Sequence, residues 1–266
     1  MAKYKALKLG LLLFAITTVT FEGNAQSFEG SKFYRIKPPF HGTIFISSDI
    51  LTAADPTTFS TLEDAGQADR IMFDRREGTE GAFIALKPYL FIARYTDNLS
   101  IEMQVNPEFG SVQNARAQAR KYAEVIGRLP MVLRKDVKTS WIHQGDKLFG
   151  GGNNNLLIHT GQAAEYEKDG ILEEALIHEG AHSSLDADHA QSKGWQAAQK
   201  ADPVFISTYA QENPTREDIA ESFIFYLALQ YRSNRISKEL KETIEKSIPN
   251  RMTYFKQQNL NVIPWN

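Results

Sequence analysis

Two histidines, His178 and His182, stand four residues apart in a segment that is otherwise rich in Ala, Leu and Ile. Residues four apart lie on one face of an α-helix, so this spacing predicts a helix whose two imidazole rings converge on one point. Polar side chains in an apolar segment need partners, which favours a shared ligand over two solvated histidines on an ordinary amphipathic helix. Two neutral imidazoles suit a tetrahedral Zn²⁺ ion, so the sequence predicts a zinc-binding helix.

Glu179 directly follows the first histidine and completes an HExxH pattern. One step around the helix from His178, its carboxylate can hold a water molecule at the metal without binding the metal itself. The metal lowers the pKa of that water, and Glu179 can then act as general base and pass the proton on. Asp186 follows the predicted metal helix and is expected to orient the His182 ring through its second nitrogen.

A catalytic zinc site needs a third protein ligand, and two residues shortly after the HExxH pattern are candidates. Asp188 stands six residues after His182, where metzincin-type sites place their third ligand. Such sites turn sharply at a glycine three residues after the second histidine, and here that position is Leu185. His189 is one residue away from the required spacing and is the weaker of the two.

Glu217 and Glu221 form a stronger pair of candidates, because they are four residues apart on a predicted helix whose same side is otherwise apolar. Two buried carboxylates without partners would repel each other at a cost of several kcal/mol. Beside zinc, one carboxylate can bind the metal while the other accepts the second N–H of a ligand histidine. A solvated acidic turn is the alternative interpretation of this segment.

Residues 207–221 and the HEGAH pattern at 178–182 carry a resemblance to a known enzyme family. An HExxH helix followed by a helix with Glu-x-x-x-Glu spacing resembles the gluzincin metallopeptidases, and the segment is most similar to the catalytic domain of the anthrax lethal factor family. The similarity covers about residues 171–230, which is under a quarter of the chain. It implies a zincin-like catalytic domain that hydrolyses peptide bonds with one zinc ion. The whole chain also resembles a group of secreted bacterial proteins.

The resemblance also implies a role for individual residues. It implies that Tyr209 donates its hydroxyl group to the oxyanion of the tetrahedral intermediate. Matching Tyr209 to the family pattern requires one extra residue before Glu217, and a core aromatic beside Phe205 is the alternative. The other implied roles are zinc ligation by His178, His182 and Glu217, general-base catalysis by Glu179, and support of a ligand histidine by Glu221.

The N-terminal residues have the pattern of an export signal. Three lysines precede an apolar run over residues 9–19, and small residues up to Ala25 suit signal-peptidase cleavage before Gln26. The apolar run is too short to span a bilayer. We therefore expect a signal peptide over residues 1–25, a secreted or periplasmic protein, and no membrane anchor after the signal is removed.

The composition excludes several functional classes. The chain contains no cysteine, which excludes disulfides, thiolate metal ligands and a cysteine nucleophile. Its formal charge is −2 and both signs are well mixed, so the sequence offers no basic surface for nucleic acid and no polybasic block for a membrane. The expected partner is therefore a protein or peptide substrate, and the expected cofactor is Zn²⁺.

The predicted organisation is a β-rich N-terminal region followed by a helical C-terminal half. Residues 1–25 are the signal peptide, 26–105 the β-rich region and 106–266 the zincin-like metallopeptidase domain. The fold class is α+β, with a mixed or antiparallel sheet packed on helices and only helix and loop after residue 161. Asp169 is expected to cap the metal helix. Strands are predicted over 43–46, 70–74, 82–85, 89–95, 99–105, 139–143 and 156–159, and a helix over 112–128.

Two further segments are expected to border the active-site cleft. The strand at 156–159 is predicted to be the edge strand beside which an extended peptide lies. The glycine- and asparagine-rich segment at 150–155 is predicted to be a mobile lip over the cleft. His143 and His159 lack partners at metal spacing, so we expect satisfied histidines at strand ends.

Three functions are compatible with the sequence. The first is a secreted zinc metallopeptidase that acts on proteins or peptides. The second is a non-catalytic exported binding protein on a zincin scaffold, and the third is a zinc hydrolase of cell-wall peptides. Glu179 favours a hydrolase, because a purely structural zinc site has no use for a general base.

Overall fold

The computed structural model describes residues 37–265, so the predicted signal peptide lies outside the described part of the chain. Six strands form one mixed sheet in the order β1-β4-β5-β6-β8-β7, and two more form a separate hairpin. The sheet strands are β1 (Phe59–Gln67), β4 (Tyr89–Tyr95), β5 (Ser100–Val105), β6 (Thr139–His143), β7 (Gly150–Gly152) and β8 (Asn155–His159). The hairpin strands are β2 (Arg70–Asp74) and β3 (Ala82–Leu86).

The sheet is antiparallel at both ends and parallel in the middle. β4 pairs antiparallel with β1 and β5, β6 pairs parallel with β5 and β8, and β7 returns antiparallel to β8. Strands from both sides of residue 105 therefore share one sheet. The predicted α+β class with a mixed sheet is confirmed.

After residue 106 the described chain is mainly helical, apart from strands β6, β7 and β8. No strand follows β8 within residues 37–265, as the sequence predicted. None of the helices there is long and apolar enough to cross a membrane. The helices are α1 (Val112–Arg128), α2 (Met131–Arg134), α3 (Thr160–Asp169), α4 (Leu172–Ser184), α5 (Asp186–His189), α6 (Lys193–Ala201), α7 (Thr208–Glu212), α8 (Asp218–Tyr231), α9 (Lys238–Ser247) and α10 (Pro249–Gln257), with short 3-10 turns at Pro107–Phe109 and Ser233–Arg235.

The two faces of the sheet are covered by different elements. Helices α1 and α4 pack on the inner face, where Met103, Ile142 and Ile158 are buried. Side chains alternate along a strand, so their neighbours point to the outer face. There the β2–β3 hairpin covers the central strands, and Phe83 of the hairpin packs edge-on against Trp141. The inner face carries α4, the helix with the HExxH pattern, and the hairpin covers the outer face.

Local signals explain why α1 agrees with its prediction. Ser111 accepts a hydrogen bond from the backbone N–H of Asn114, which caps the first turn. The predicted apolar stripe of α1 is buried against the sheet. Gly127 permits a close crossing, because a Cβ atom there would lie 2.3 Å from the Thr57 hydroxyl oxygen.

Several predictions about single elements are wrong. Residues 43–46 form turns rather than a strand. The side chain of Thr43 lies beside Glu221 of α8. Asp169 does not cap the metal helix: it ends α3, and Gly170 then reverses the chain with φ 71° before α4 begins. β1 and α3 were not predicted at all.

Candidate metal centre

Helix α4 holds both histidines of the HExxH pattern near its C-terminal end. The helix is buried nearly all round, because α8, β7 and α2 pack against it. Gly180 lets α2 approach, since a Cβ atom there would lie 3.1 Å from the Leu133 Cβ atom. Packing on several sides fixes the direction in which His178 and His182 point.

Three side chains converge on one point beside α4. The two Nε2 atoms of His178 and His182 are 3.2 Å apart, and Glu217 Oε2 lies 3.2 Å from the His182 nitrogen and 3.4 Å from the His178 nitrogen. Ligands held at about 2.0–2.1 Å from a tetrahedral zinc ion are about 3.3–3.4 Å apart. The triangle therefore has the size that a zinc ion requires of three of its ligands.

The outer nitrogen of each histidine faces a carboxylate. His182 Nδ1 lies 2.7 Å from Asp186 Oδ2, and His178 Nδ1 lies 3.4 Å from Glu221 Oε1. A carboxylate on the outer nitrogen favours the tautomer with its proton there, so the inner Nε2 atom presents a lone pair. With its proton on the outer nitrogen, each histidine would turn a lone pair toward the centre of the triangle, beside the Glu217 oxygen. A cation there would bind all three atoms, so the donor set fits a metal ion.

The electrostatic surroundings of the triangle are strongly negative. Burial opposes protonation of His182, yet hydrogen bonds to Asp186 and Glu217 outweigh it and raise the pKa of His182 to about 10. Burial would raise the pKa of Glu217, but the two histidines hold that pKa far below its usual range. The two shifts describe one interaction, a proton held between His182 and Glu217, and a divalent cation could take the place of that proton.

Glu217 and Glu221 both lie at the start of α8 and both are buried, with 3% and 2% of their surface exposed. Glu217 is the residue just before the helix, but its φ of −100° and ψ of −22° continue the helical path. The Glu221 N–H donates to the Glu217 carbonyl at 2.9 Å, so the two carboxylates share one face as predicted. Their burial rules out a solvated acidic turn.

A short N-terminal segment, residues 40–43, lies next to Glu221. We call it the N-terminal strap. Thr208 N–H donates to Phe40 O at 2.9 Å, and Tyr209 N–H donates to His41 O at 3.0 Å. The Ser207 hydroxyl donates to Glu221 Oε2 at 2.6 Å. Burial raises the pKa of Glu221, and His178 together with the hydroxyls of Ser207 and Thr43 opposes the rise.

The strap and the role of Ser207 were not predicted. The strap is distant from α7 in sequence, since Phe40 and Thr208 are separated by 168 positions. No spacing rule connects segments that far apart. Ser207 offered a weak signal, because a serine before a short helix is a common N-cap, and Ser207 does cap α7 through Ala210 N–H.

The competing third ligands lie away from the triangle. The Asp188 side chain is 63% exposed and pairs with Lys135 at 3.2 Å. His189 Nδ1 lies 2.8 Å from the Tyr254 hydroxyl. Among the described residues, the one group of three or more potential ligands that could share a metal ion is His178, His182 and Glu217.

Tyr209 and Glu179 flank the triangle on two sides. Tyr209, on α7, is 40% exposed, so it is not the core aromatic that was the alternative. Burial of its hydroxyl, together with the charge of Glu217 and a hydrogen bond to it, raises the pKa of Tyr209 to about 12. Glu179 is partly buried on α4, and its charge helps to raise the pKa of His182.

The edge of the sheet beside the triangle is β7 rather than the predicted strand at 156–159. β8 lies between β6 and β7 and all its residues are buried. The predicted lip at 150–155 is therefore partly strand, because Gly150–Gly152 pairs with β8. A Cβ atom at Gly151 would lie 2.0 Å from the Glu179 carbonyl oxygen, so only glycine lets this strand rest on α4.

His143 and His159 form a second buried cluster on the outer face of the sheet. Asp74 reaches from β2 between them, at 3.4 Å from His143 Nδ1 and 3.3 Å from His159 Nε2. Arg76 pairs with the same carboxylate, which leaves no room there for a metal ion. The cluster fastens the hairpin to the ends of β6 and β8, so the two histidines are strand-end residues as predicted. Among residues 37–265, His143 Nε2 and His159 Nδ1 have no hydrogen-bond partner, so the two rings are only partly satisfied.

The gluzincin resemblance implied a ligand set that coincides with the triangle found here. No protein-family model, no curated protein and no solved structure matches this chain.

Proposed function

We propose that this protein is a zinc-dependent metallopeptidase, exported through its N-terminal signal. The observation that carries the proposal is the triangle of His178, His182 and Glu217, whose ligand atoms are 3.2–3.4 Å apart. A second observation is that each histidine is backed by its own carboxylate. Such backing is common at zinc sites, because it fixes the tautomer and the ring orientation.

Zinc bound in the triangle would polarise a peptide carbonyl and make a water molecule more acidic. Glu179 follows His178 on the same helix and takes the role of general base, accepting the proton of the attacking water and passing it to the leaving amine. Tyr209 lies beside Glu217 of the triangle. Because its pKa is raised to about 12, its hydroxyl stays protonated at neutral pH and can donate to the developing oxyanion of the substrate.

The free edge of β7 is the proposed binding place for the substrate backbone. Within the described residues, β7 pairs with β8 alone, and the Gly152 N–H donates to the Ser183 hydroxyl at 2.9 Å. The remaining outward N–H and C=O groups of β7 are the ones that we propose for an extended peptide. Its three glycines present backbone and no side chains. Main-chain pairing would thus align the peptide beside Glu179 without selecting side chains through β7 itself.

A non-catalytic binding protein is the competing function. The partly buried carboxylate of Glu179 argues for the peptidase, since a structural zinc ion needs no base beside it. A hydrolase of cell-wall peptides would use the same triangle and the same base, so it differs from the first proposal only in its substrate.

Zinc content is the first test. The mature protein should contain about one zinc ion per chain by atomic emission, because the triangle offers three ligands for one ion. Glu217→Ala should lose it. Asp188→Ala is the matched control, which removes an exposed carboxylate near the site and should keep the zinc. A protein that binds no zinc, even after reconstitution, would refute the proposal.

Peptide hydrolysis is the second test. The zinc-loaded protein should cleave an unstructured protein such as casein, and Glu179→Gln should abolish the cleavage while it keeps the zinc. Full activity in Glu179→Gln would exclude the general base proposed here. Zinc binding without cleavage of proteins or cell-wall peptides would favour the non-catalytic binding protein.

A further inference from the structure

Arg75 is a cation without a counter-charge. Its neighbour Arg76 pairs with Asp74 and Glu108, and Arg70 of the same hairpin pairs with Glu102. Within residues 37–265, the Arg75 guanidinium makes no ion pair, and its buried Nε atom has no hydrogen-bond partner. A buried N–H donor without an acceptor is costly, so a carboxylate brought by a bound partner would supply what the Arg75 Nε atom lacks.

The guanidinium lies over the edge strand β7. Its Nη2 atom is 3.2 Å from the position that a Cβ atom of Gly150 would occupy. A side chain at Gly150 would compete with it for this space. The Arg76 backbone N–H donates to Asp74 at 2.8 Å, and Asp74 is anchored by His143, so the backbone beside Arg75 is held in place.

Gly150, which lies next to Arg75, precedes Gly151, the residue of β7 that contacts α4. Successive residues of a strand face opposite sides. Gly151 faces inward onto the Glu179 backbone, so Gly150 faces outward toward Arg75. The buried Tyr166 lies close enough to both charged groups to respond to each, since Glu179 raises its pKa and Arg75 lowers it, while burial is the main cause of its value of about 12.

We infer that Arg75 is a specificity residue that recognises an acidic side chain of the substrate, at the position that pairs with Gly150. The inference rests on the proposed binding of a peptide along β7. Paired residues of adjacent strands have Cβ atoms about 4.5–5.5 Å apart, which is within reach of an Asp or Glu side chain that points to the outer face. The carboxylate would supply the acceptor that Arg75 lacks, in the two-pronged geometry that a guanidinium favours.

The test compares pairs of acetylated, amidated and fluorescently labelled decapeptides that differ by a single Glu or Gln, scanned along the sequence. Binding to the zinc-supplemented Glu179→Gln protein is measured by anisotropy, so cleavage does not interfere. At one position, Glu should bind about tenfold or more tightly than Gln, as expected for a charged hydrogen bond. Arg75→Gln should remove this preference, and Arg75→Glu should reverse it, so that the Gln peptide binds more tightly than the Glu peptide.

Arg70→Gln is the matched control, because it removes an arginine of the same hairpin that already has its carboxylate. It should keep the Glu preference. Equal binding of Glu and Gln peptides at every position, no binding of any Glu peptide, or a preference that survives Arg75→Gln would overturn the inference. A Glu preference in a protein that cleaves no peptide would support the Arg75 site and refute the peptidase. Cleavage without a Glu preference would support the peptidase and refute the Arg75 site.

Discussion

Gly151 rests directly on the backbone of Glu179, with the place of a Cβ atom only 2.0 Å from the Glu179 carbonyl oxygen. The edge strand and the helix that carries the HExxH pattern are thus in backbone contact. A peptide paired with β7 would therefore lie next to Glu179 without any loop having to close over it. Three consecutive glycines, which look like a flexible linker in the sequence, form part of a wall of the site.

Gly151→Ala should damage both stability and activity. The added methyl group meets backbone rather than the movable end of a side chain, so β7 must shift away from α4. We expect a loss of about 3 kcal/mol in unfolding free energy by urea titration, together with a loss of peptide hydrolysis. Gly66→Ala controls for the loss of a glycine: no atom lies within 4 Å of its added Cβ, although its φ of 73° costs about 1 kcal/mol. Equal effects of the two substitutions would show that the Gly151 contact is unimportant.

Asp186→Asn should weaken zinc binding without unfolding the protein. The carboxylate lies 2.7 Å from His182 Nδ1 and fixes the ring. We expect the zinc dissociation constant, measured by chelator competition, to rise about 10–100-fold. Asp188→Asn makes the same chemical change on an exposed carboxylate paired with Lys135 and should leave the constant unchanged. Equal weakening in both variants would point to the loss of general negative charge rather than to orientation.

Tyr209→Phe should separate catalysis from binding. The hydroxyl is proposed to donate to the developing oxyanion in the transition state, so kcat should fall about 100-fold while KM and zinc content change little. Steady-state kinetics with one peptide and atomic emission give the two readouts. Loss of zinc in Tyr209→Phe would assign the hydroxyl to the support of Glu217 instead.

Glu174 should make the protein less stable as the pH rises. This buried carboxyl on α4 accepts a hydrogen bond from Leu51 N–H at 3.1 Å, and burial raises its pKa to about 8. Because the folded pKa lies above the unfolded value, its contribution is fully present below the unfolded pKa of 4.5 and is lost as the pH rises through 8. The loss is on the order of 4 kcal/mol. Glu174→Gln keeps the acceptor and should flatten urea midpoints between pH 5 and pH 9; an unchanged slope would contradict this assignment.

His143 should make the free energy of unfolding fall as the solution becomes acidic, opposite to the effect of Glu174. Burial is the main cause that lowers its pKa to about 4, and Asp74 only partly opposes this. The unfolded chain therefore takes up a proton first, so stability falls as the pH drops from 6.5 toward 4, by on the order of 3 kcal/mol. His143→Gln should remove that part of the slope in urea unfolding. The same acid sensitivity in the variant would assign the effect to other groups. Because the His143 and Glu174 slopes have opposite signs, the two groups together make the wild type most stable between about pH 4.5 and 6.5.

The elements predicted correctly are those with strong local signals. α1 has a cap and an apolar stripe, and β4 and β5 alternate around a short turn. β1 escaped prediction because it is an edge strand whose residues are mostly exposed, with Leu62 alone buried. β7 has no side chains to form a pattern, so its pairing comes entirely from its neighbours.

The residues of the candidate site likewise fall into those with a local sequence signal, which were predicted, and those without one, which were missed. His178, Glu179 and His182 were found by their spacing, and Glu217 and Glu221 by two carboxylates on one apolar helix. Asp186 was found because it directly follows the metal helix. Thr43 and Ser207 support the same carboxylate from distant parts of the chain, and Arg75 is recognisable only by what surrounds it in space. Sequence spacing thus identifies residues that share a helix, and it misses residues that tertiary packing brings together.

The N-terminal strap has a consequence for the life of the chain before it is fully folded. Phe40 pairs with Thr208 across 168 residues, and contacts between such distant segments form late because they close a very long loop. A nascent, truncated or clipped chain can carry the whole HExxH helix while Glu221 and Tyr209 remain out of position. The triangle and the residues that support it would then be complete only at the end of folding, as a consequence of the connectivity of the chain.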